Sequence, residues 1–324
     1  MTVETLDGAG RHAGERLWEQ LVEAVGQAVV GADEPLRLLA IALLADGHAL
    51  IEDVPGVGKT LLARAFARSL GLTFSRVQGT PDLLPGDVTG SSIYEGGQFR
   101  FIPGPVFTNV LLVDEINRAT PRTQSAMLEA MQERQVSTEG ESRPLPQPFL
   151  VLATENPIEL EGTFALPEAE LDRFLVRVSM GYPTREGEIA IAERYRTAAE
   201  PLDAIQPVTD AATILALRDT VRGLTVAPQV VSYLVDVIRA SRDHPDLRLG
   251  ASPRSSVALY RASQAAAFLS GRSFVIPEDV HSIVGAVLAH RLILDVDRRL
   301  RGAGVDEVLA ELLKSVPLPL ADAS

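Results

Sequence analysis

The sequence predicts an α/β fold in which helices cover both faces of a parallel sheet, followed by an all-helical domain. Two apolar runs, NVLLVDE from Asn109 and PFLVLATEN from Pro148, end in polar residues, as buried parallel strands do. A third run, HALIED from His48, leads through a glycine-rich segment into a helical pattern. From Gly181 onward the pattern is helical almost to the last residue. We therefore expect a sheet-containing domain over residues 1–182 and a helical domain over residues 183–324.

Composition limits the classes of protein to consider. The chain has 324 residues, a net charge of −13 and no cysteine, which excludes disulfides and thiolate metal sites and is compatible with a reducing compartment. The acidic total argues against specific binding to nucleic acid. The longest apolar runs, such as LLAIALLA from Leu38, fall short of the ~20 residues that cross a bilayer. The polar N-terminus is unlike a signal peptide, so we expect no membrane segment and a cytoplasmic location.

The glycine-rich segment PGVGKT has the setting of a phosphate-binding loop, because it joins a short strand to the helix that starts near Leu61. Backbone N–H groups can turn toward a phosphate at Gly56 and Gly58. Lys59 adds a positive charge for the β- and γ-phosphates, and the Thr60 hydroxyl can bind Mg²⁺. The residues predicted to hold the phosphates are Pro55, Gly56, Val57, Gly58, Lys59, Thr60 and Leu61. The alternative is a chance glycine turn.

One position departs from the full pattern G-x-x-x-x-G-K-[ST], whose first glycine stands five residues before the glycine that precedes the lysine. This chain has Asp53 there. Aspartate tolerates left-handed backbone angles better than most residues. We therefore expect Asp53 to keep the turn by adopting such angles, and its effect on nucleotide affinity stays open.

The strand NVLLVDE ends in two acids, Asp114 and Glu115. In a doubly wound sheet such residues face the crevice at the carboxyl ends of the strands, where ligands bind. Asp114 can hold Mg²⁺, and Glu115 can orient and polarise a water for attack on a γ-phosphate. The alternative is an ordinary polar strand end.

Three further polar residues follow apolar segments or open a helix. Asn156, after the strand of PFLVLATEN, would lie beside the two acids if the strands are neighbours, although Asn-Pro is also a common turn. Arg173 precedes another strand, and its default interpretation is a surface residue paired with Asp172. Arg254 lies in the first turn of a helix, where its charge opposes the helix dipole. This placement indicates a role, unless Arg254 is a solvated surface residue.

The segments PGVGKT, LLVDEINRA, VLATENP, ELDRF and ASPR, in this order, resemble AAA+ ATPases of the MoxR family over nearly the whole chain. The resemblance implies an AAA+ fold with a helical lid, and ATP hydrolysis with Mg²⁺ by a homo-oligomeric ring, usually a hexamer. It implies these residue roles: Lys59 and Thr60 as Walker A, Asp114 and Glu115 as Walker B, Asn156 as sensor 1, Arg173 as an arginine finger acting on a neighbouring subunit, Arg254 as sensor 2, and Val30 and Gly31 at the adenine pocket. It also implies chaperone-like work on partner proteins, including metal or cofactor insertion, commonly with a protein that carries a von Willebrand factor A domain.

Two segments have the polar–apolar alternation of β-hairpins. They span about residues 89–107, around Gly96 and Gly97, and about residues 134–149. In related motors such hairpins face the centre of the ring and move with the nucleotide state. Passive surface hairpins are the alternative. Arg118, in DEINRA, is a second candidate for contact across the subunit boundary.

Three other functions stay open at this point. A metal-chelatase motor would share the ring and its partner domain. A nucleic-acid motor would share the hairpins, although the chain lacks a basic or aromatic-interleaved groove. A nucleotide-binding switch without turnover would have no need of Glu115.

Overall fold

The computed structural model describes residues 7–138, 140–156, 162–194, 196, 200–302 and 304–319. Pro157 of the ATENP segment and Glu139, between the two strands predicted for the second hairpin, lie outside these residues. The start of the first predicted domain, residues 1–6, and the end of the second, residues 320–324, also lie outside them. The strands are β1 Ala49–Glu52, β2 Phe74–Gln78, β3 Gly90–Glu95, β4 Gln98–Pro103, β5 Val110–Asp114, β6 Gln135–Thr138, β7 Glu141–Pro144, β8 Leu150–Glu155, β9 Val176–Val178, β10 Thr225–Val226, β11 Leu247–Leu249, β12 Phe274–Val275 and β13 Ile293–Leu294. The helices are α1 Asp7–Gly26, α2 Asp33–Leu44, α3 Lys59–Ser69, α4 Pro85–Thr89, α5 Pro121–Glu133, α6 Glu168–Leu171, α7 Arg185–Arg194, α8 Ala211–Arg222, α9 Pro228–Arg242, α10 Pro253–Leu269, α11 Pro277–Leu288, α12 Val296–Leu300 and α13 Val305–Ser315.

The central sheet has five parallel strands in the order β2-β5-β8-β1-β9. Successive residues of β5 and β8 are buried in two different apolar clusters, because side chains of a strand alternate between the faces of the sheet. Leu112 and Leu152 pack in the cluster with α1, α2 and α3, whereas Leu111 and Val151 pack in the cluster with α5. Helices therefore cover both faces, as the sequence predicts.

The order of the strands brings the candidate residues to one edge. The phosphate loop follows β1, Glu115 follows β5, and Asn156 follows β8. In the sheet β8 lies between β1 and β5. Since the three strands are parallel, their carboxyl ends open into the same crevice.

Both predicted hairpins are present, over shorter ranges than the sequence predicts. β3 and β4 pair from Gly90 to Pro103, and their turn, Gly96 and Gly97, has φ of 61° and 88°, the two positive values that a tight type I′ hairpin requires. β6 and β7 pair from Gln135 to Pro144. The Arg143 guanidinium lies 4.1 Å from the centroid of the Phe101 ring, so the two hairpins contact each other.

The helices after β9 pack on the sheet rather than standing apart from it. Helix α10 is buried along its second half, packs against α1, α2, α9 and α11, and shares one apolar cluster with the sheet. From α8, the Arg218 guanidinium donates to the Leu43 carbonyl and the Asp46 carboxylate, both at 2.7 Å. Burial lowers the pKa of Arg218 to about 10, although Asp46 opposes this shift. The helical part is thus anchored near the amino end of β1.

Within the described residues, none of the helices combines enough length with enough apolar character to span a bilayer.

Candidate functional site

The loop between β1 and α3 has the backbone of an anion site. Gly56 and Gly58 have φ of 87° and 93°, angles that favour glycine. Gly58 caps the N-terminus of α3, where unpaired N–H groups and the helix dipole attract negative charge. The loop residues predicted from the sequence therefore lie where a phosphate would bind.

Lys59 lies over this loop. Its ammonium donates to the carbonyls of Asp53 at 2.7 Å and Val54 at 3.3 Å. Burial lowers the pKa of Lys59, and the nearby carboxylates of Asp53, Asp114 and Glu115 oppose this shift. The Lys59 ammonium thus lies within electrostatic reach of three carboxylates at the mouth of the crevice.

The expectation that Asp53 adopts left-handed angles is wrong, because the positive φ values of the loop belong to Gly56 and Gly58. Asp53 acts through its side chain instead. One carboxylate oxygen accepts from the Val54 N–H at 2.9 Å, and the other accepts from the N–H groups of Met180 at 2.5 Å and Gly181 at 2.8 Å. The aspartate therefore ties the start of the phosphate loop to the segment after β9, which glycine could not do.

Asp114 and Thr60 bring a carboxylate and a hydroxyl oxygen together in the crevice. The Thr60 hydroxyl donates to Asp114 Oδ2 at 3.3 Å, and Arg76 Nε lies 2.5 Å from the same oxygen. A hydroxyl and a carboxylate on two adjoining elements fit Mg²⁺, which takes few protein ligands and completes its shell with water and phosphate oxygens. Arg76 neutralises Asp114 and would have to share or release that oxygen for a cation to bind there.

Glu115 begins a sharp bend directly after β5. Its backbone is left-handed, with φ 55° and ψ 54°, and its N–H donates to the Thr154 hydroxyl at 2.9 Å. A Cβ at Gly79, directly after β2, would lie 2.2 Å from the Glu115 carbonyl oxygen. Only glycine therefore fits at position 79 beside the bend. Unfavourable backbone angles held by surrounding contacts are typical of functional positions.

The Glu115 carboxylate is held by two donors. Its Oε2 accepts from Gln78 Nε2 at 2.9 Å and from Arg118 Nη1 at 3.1 Å. Arg118 is predicted from the sequence as a candidate for contact across the subunit boundary, whereas Gln78 is not predicted. The register of the sheet pairs Gln78 with Asp114, the residue before Glu115. Predicting Gln78 as a partner of Glu115 requires knowing that β2 lies beside β5.

Beside Asn156, the two carboxyl groups of Glu155 and Glu52 end neighbouring strands and face each other in register. Glu52 forms an ion pair with Arg177 at 3.2 Å. Burial, followed by repulsion from Glu52, raises the pKa of Glu155 from 4.5 to about 7. Sequence patterns gave no sign of this pair, because it requires knowing that β1 and β8 are adjacent.

This pKa predicts a pH-dependent effect of Glu155→Gln. The folded pKa lies above the unfolded value, so protonated Glu155 stabilises the fold at acid pH, and this contribution is lost as the pH rises from about 4.5 through about 7. Glutamine stays neutral, so we expect the variant to exceed the wild type in stability by up to about 3 kcal/mol at pH 8.5 and much less at pH 5.5. Thermal unfolding at both pH values checks this, with exposed Glu168→Gln as the control. An equal difference at both pH values would contradict it.

A cavity of about 270 Å³ adjoins the phosphate loop. Of the predicted residues, it is lined by Val30, Gly31, Gly56, Val57, Gly58 and Leu61, and Pro55 is not among its lining residues. The sequence did not predict the lining residues Met180, Gly181 and Pro183, which follow β9. It also did not predict Ile191 and Arg194 on α7, a helix with no strong apolar stripe to mark it. The cavity has the apolar lining expected of a pocket for a nucleotide base.

Arg173 and Arg254 lie elsewhere. Together they line a cleft of about 480 Å³ with Asp46 and His48, residues that precede β1 and so mark the amino end of the sheet. The structure thus brings the two arginines together, at the edge opposite to the phosphate loop. Arg254, the predicted sensor 2, therefore does not face the crevice of its own chain.

The two arginines are unpaired within the part of the chain that the structure describes. Asp172, the default partner of Arg173, instead accepts from Arg291 at 2.7 Å, and Arg173 Nε is buried without a hydrogen-bond partner. A buried donor without a partner costs free energy. This cleft therefore presents two guanidinium groups that are available to an anion from outside the chain.

Comparison with known proteins agrees with this geometry. Residues 48–176 match the family described as "ATPase family associated with various cellular activities (AAA)", and residues 239–312 match the AAA lid domain. Chaperone MoxR1 of Mycobacterium tuberculosis is 42% identical over 94% of this chain and 83% of that protein. Protein YeaC of Bacillus subtilis is 42% identical over 92% of this chain and 94% of that protein.

A crystal structure from Cytophaga hutchinsonii superimposes with a TM-score of 0.90 at 34% identity, and covers 96% of this chain and 98% of that one. The fold, the order of the motifs and these relatives agree with one another. The chain belongs to the MoxR family of AAA+ ATPases.

Proposed function

We propose that this protein hydrolyses ATP at sites formed between neighbouring copies of the chain, and uses the energy to remodel partner proteins. The observation that carries the proposal is the separation of the candidate groups. Lys59, Thr60, Asp114 and Glu115 lie in one crevice, whereas Arg173 and Arg254 line a cleft at the opposite edge of the sheet. One copy alone thus keeps Arg173 and Arg254 away from its own phosphate loop, and a neighbour can supply these two arginines.

The residues divide the chemistry between them. The loop N–H groups and Lys59 bind the phosphates, and Asn156 contacts the γ-phosphate or the attacking water. Glu115 aligns that water and accepts its proton. The arginines of the adjacent copy balance the negative charge that develops as the γ-phosphoryl group leaves. Mg²⁺ between Thr60 and Asp114 would neutralise phosphate charge.

The arrangement around Glu115 indicates how activity could depend on assembly. Its carboxylate is engaged by Gln78 and Arg118, so it must turn from at least one of these donors to reach a water. Arg118 lies near the crevice mouth, and a neighbouring copy that contacts it would free the carboxylate. A site of this kind joins two different surfaces of identical copies. Such contacts form a closed ring when the repeated rotation returns to the first copy. We propose that this ring is a hexamer.

The use of the energy is proposed from similarity to Chaperone MoxR1. A ring that hydrolyses ATP can pull or twist a bound client, and the two contacting hairpins are the elements we propose for client contact. Insertion of a metal or cofactor and cooperation with a von Willebrand factor A domain protein are finer proposals of the same kind. The net charge of −13 favours a protein client over nucleic acid.

The proposed composite site predicts that ATPase activity depends on assembly. The rate per subunit should rise with protein concentration, in step with the formation of oligomers measured by light scattering. The reason is that only a copy with a neighbour has an Arg173 and an Arg254 at its phosphates. A rate per subunit that is constant from the monomeric to the oligomeric range would contradict the composite site, and inactivity toward ATP in every assembly state would contradict the proposed hydrolysis.

A further inference from the structure

The cavity beside the phosphate loop has an unusual polar group. Arg194, the last residue of α7, lines it. The other described residues that line the cavity are glycine, proline or apolar. Arg194 is therefore the polar side chain through which this lining can distinguish one occupant from another.

The guanidinium of Arg194 is only partly satisfied. Its Nη2 donates to the carbonyl of Gly26, at the end of α1, at 2.7 Å. Its Nη1 is buried and finds no hydrogen-bond partner among the described residues. Because a charged donor is costly to leave unpaired, this nitrogen indicates that an acceptor is supplied from outside the chain.

The cavity limits what that acceptor can be. Gly56, Val57 and Gly58 line one side, so the cavity is continuous with the phosphate loop. Val29, Val30 and Ile191 provide apolar walls that suit a flat ring. An occupant that places phosphates on the loop and a ring in the cavity is a nucleotide, with its base against these walls.

We infer that Arg194 reads the base by donating a hydrogen bond to a ring nitrogen of adenine. Arginine has five N–H donors and no acceptor, and adenine presents unprotonated ring nitrogens as acceptors. Since Nη1 is enclosed, the side chain must turn slightly toward the cavity when the base enters. The charge-assisted bond that forms is stronger than a neutral one. This inference rests on the proposed function, because it names how the same site recognises its nucleotide.

The test compares two variants of α7. Arg194→Met keeps most of the side-chain length and removes the donors, whereas Arg185→Met changes an exposed arginine of the same helix that does not line the cavity. Calorimetry measures the binding of ATP and of inorganic tripolyphosphate to each protein. We expect Arg194→Met to bind ATP about 10–100-fold more weakly than the wild type, with unchanged binding of tripolyphosphate. The second ligand shows that the variant is folded and that its phosphate loop works.

Base analogues test the same bond in the unmodified protein. In 1-deaza-, 3-deaza- and 7-deaza-ATP a carbon replaces one ring nitrogen. We expect one of the three to bind the wild type about 10–100-fold more weakly than ATP does, and to bind Arg194→Met no more weakly than ATP does.

Four results would overturn the inference. Equal ATP affinities for Arg194→Met and the wild type, or full affinity of the wild type for all three analogues, would overturn it alone. A wild type that binds tripolyphosphate but shows no preference for ATP would remove any role for the cavity. A wild type that binds neither ligand would overturn the proposed function as well. The tripolyphosphate measurement therefore separates failure of the proposed function from failure of the inference about Arg194 alone.

Discussion

Glu115→Gln is expected to lower the rate of ATP hydrolysis by about 10²–10⁴-fold, the usual contribution of a positioned general base. Glutamine has nearly the same shape and can still accept from Gln78 or Arg118. It cannot take a proton from water at neutral pH. The phosphate loop and Asp114 are unchanged, so ATP should bind with about the wild-type affinity. Steady-state hydrolysis and equilibrium binding of ATP, measured on the same preparation, check both parts of this prediction.

The control for this variant is Glu129→Gln, because Glu129 is an exposed acid on α5. It should hydrolyse ATP at the wild-type rate. If Glu115→Gln does so too, Glu115 is not the base, and a nucleotide-dependent switch becomes the better account. If the variant loses ATP binding as well, the carboxylate has a role in holding the nucleotide that its contacts do not suggest.

Arg173→Ala is expected to lower hydrolysis by about 10³-fold or more, as the loss of an arginine finger does in other phosphoryl-transfer sites. The isolated subunit should still bind ATP, since Arg173 lies at the other edge of the sheet from Lys59. Its guanidinium forms no hydrogen bond within the described chain and its Nε is unpaired, so its removal should cost little stability. A loss of activity therefore reports charge stabilisation rather than unfolding.

Arg239→Ala is the matched control, because Arg239 is an exposed arginine on α9 with no ion pair among the described residues. Its activity and thermal stability should equal those of the wild type. Thermal unfolding of Arg173→Ala in the same buffer separates a catalytic defect from a structural one. A variant that melts well below the wild type would contradict the interpretation of Arg173 as an unpaired residue.

The sequence predicted those features that depend on local patterns and on the parallel sheet. Apolar runs ending in acids predicted that Asp114 and Glu115 lie at the carboxyl edge of the sheet, and the glycines predicted the turn between β1 and α3. The strand–turn–strand pattern around Gly96 and Gly97 predicted the first hairpin. The predicted range extends a few residues beyond the ends of the observed strands.

Features that depend on contacts between distant segments were not predictable from local pattern. Asp53 was misjudged because its partners, Met180 and Gly181, follow another strand. Gln78 was missed because only the register of β2 beside β5 brings it to Glu115. The common cleft of Arg173 and Arg254 depends on how the helical part docks on the sheet, which no spacing in the sequence encodes.

The central claim, that each site takes its arginines from a neighbour, is tested most directly by mixing two inactive variants. Lys59→Ala loses its own phosphate site and keeps its arginines, whereas Arg173→Ala keeps the phosphate site and loses the finger. In randomly mixed rings about a quarter of the interfaces join an intact phosphate site to an intact arginine. Hydrolysis by the mixture, well above that of either variant alone, is the predicted result. No activity in a mixture whose subunits are shown to exchange would contradict the claim.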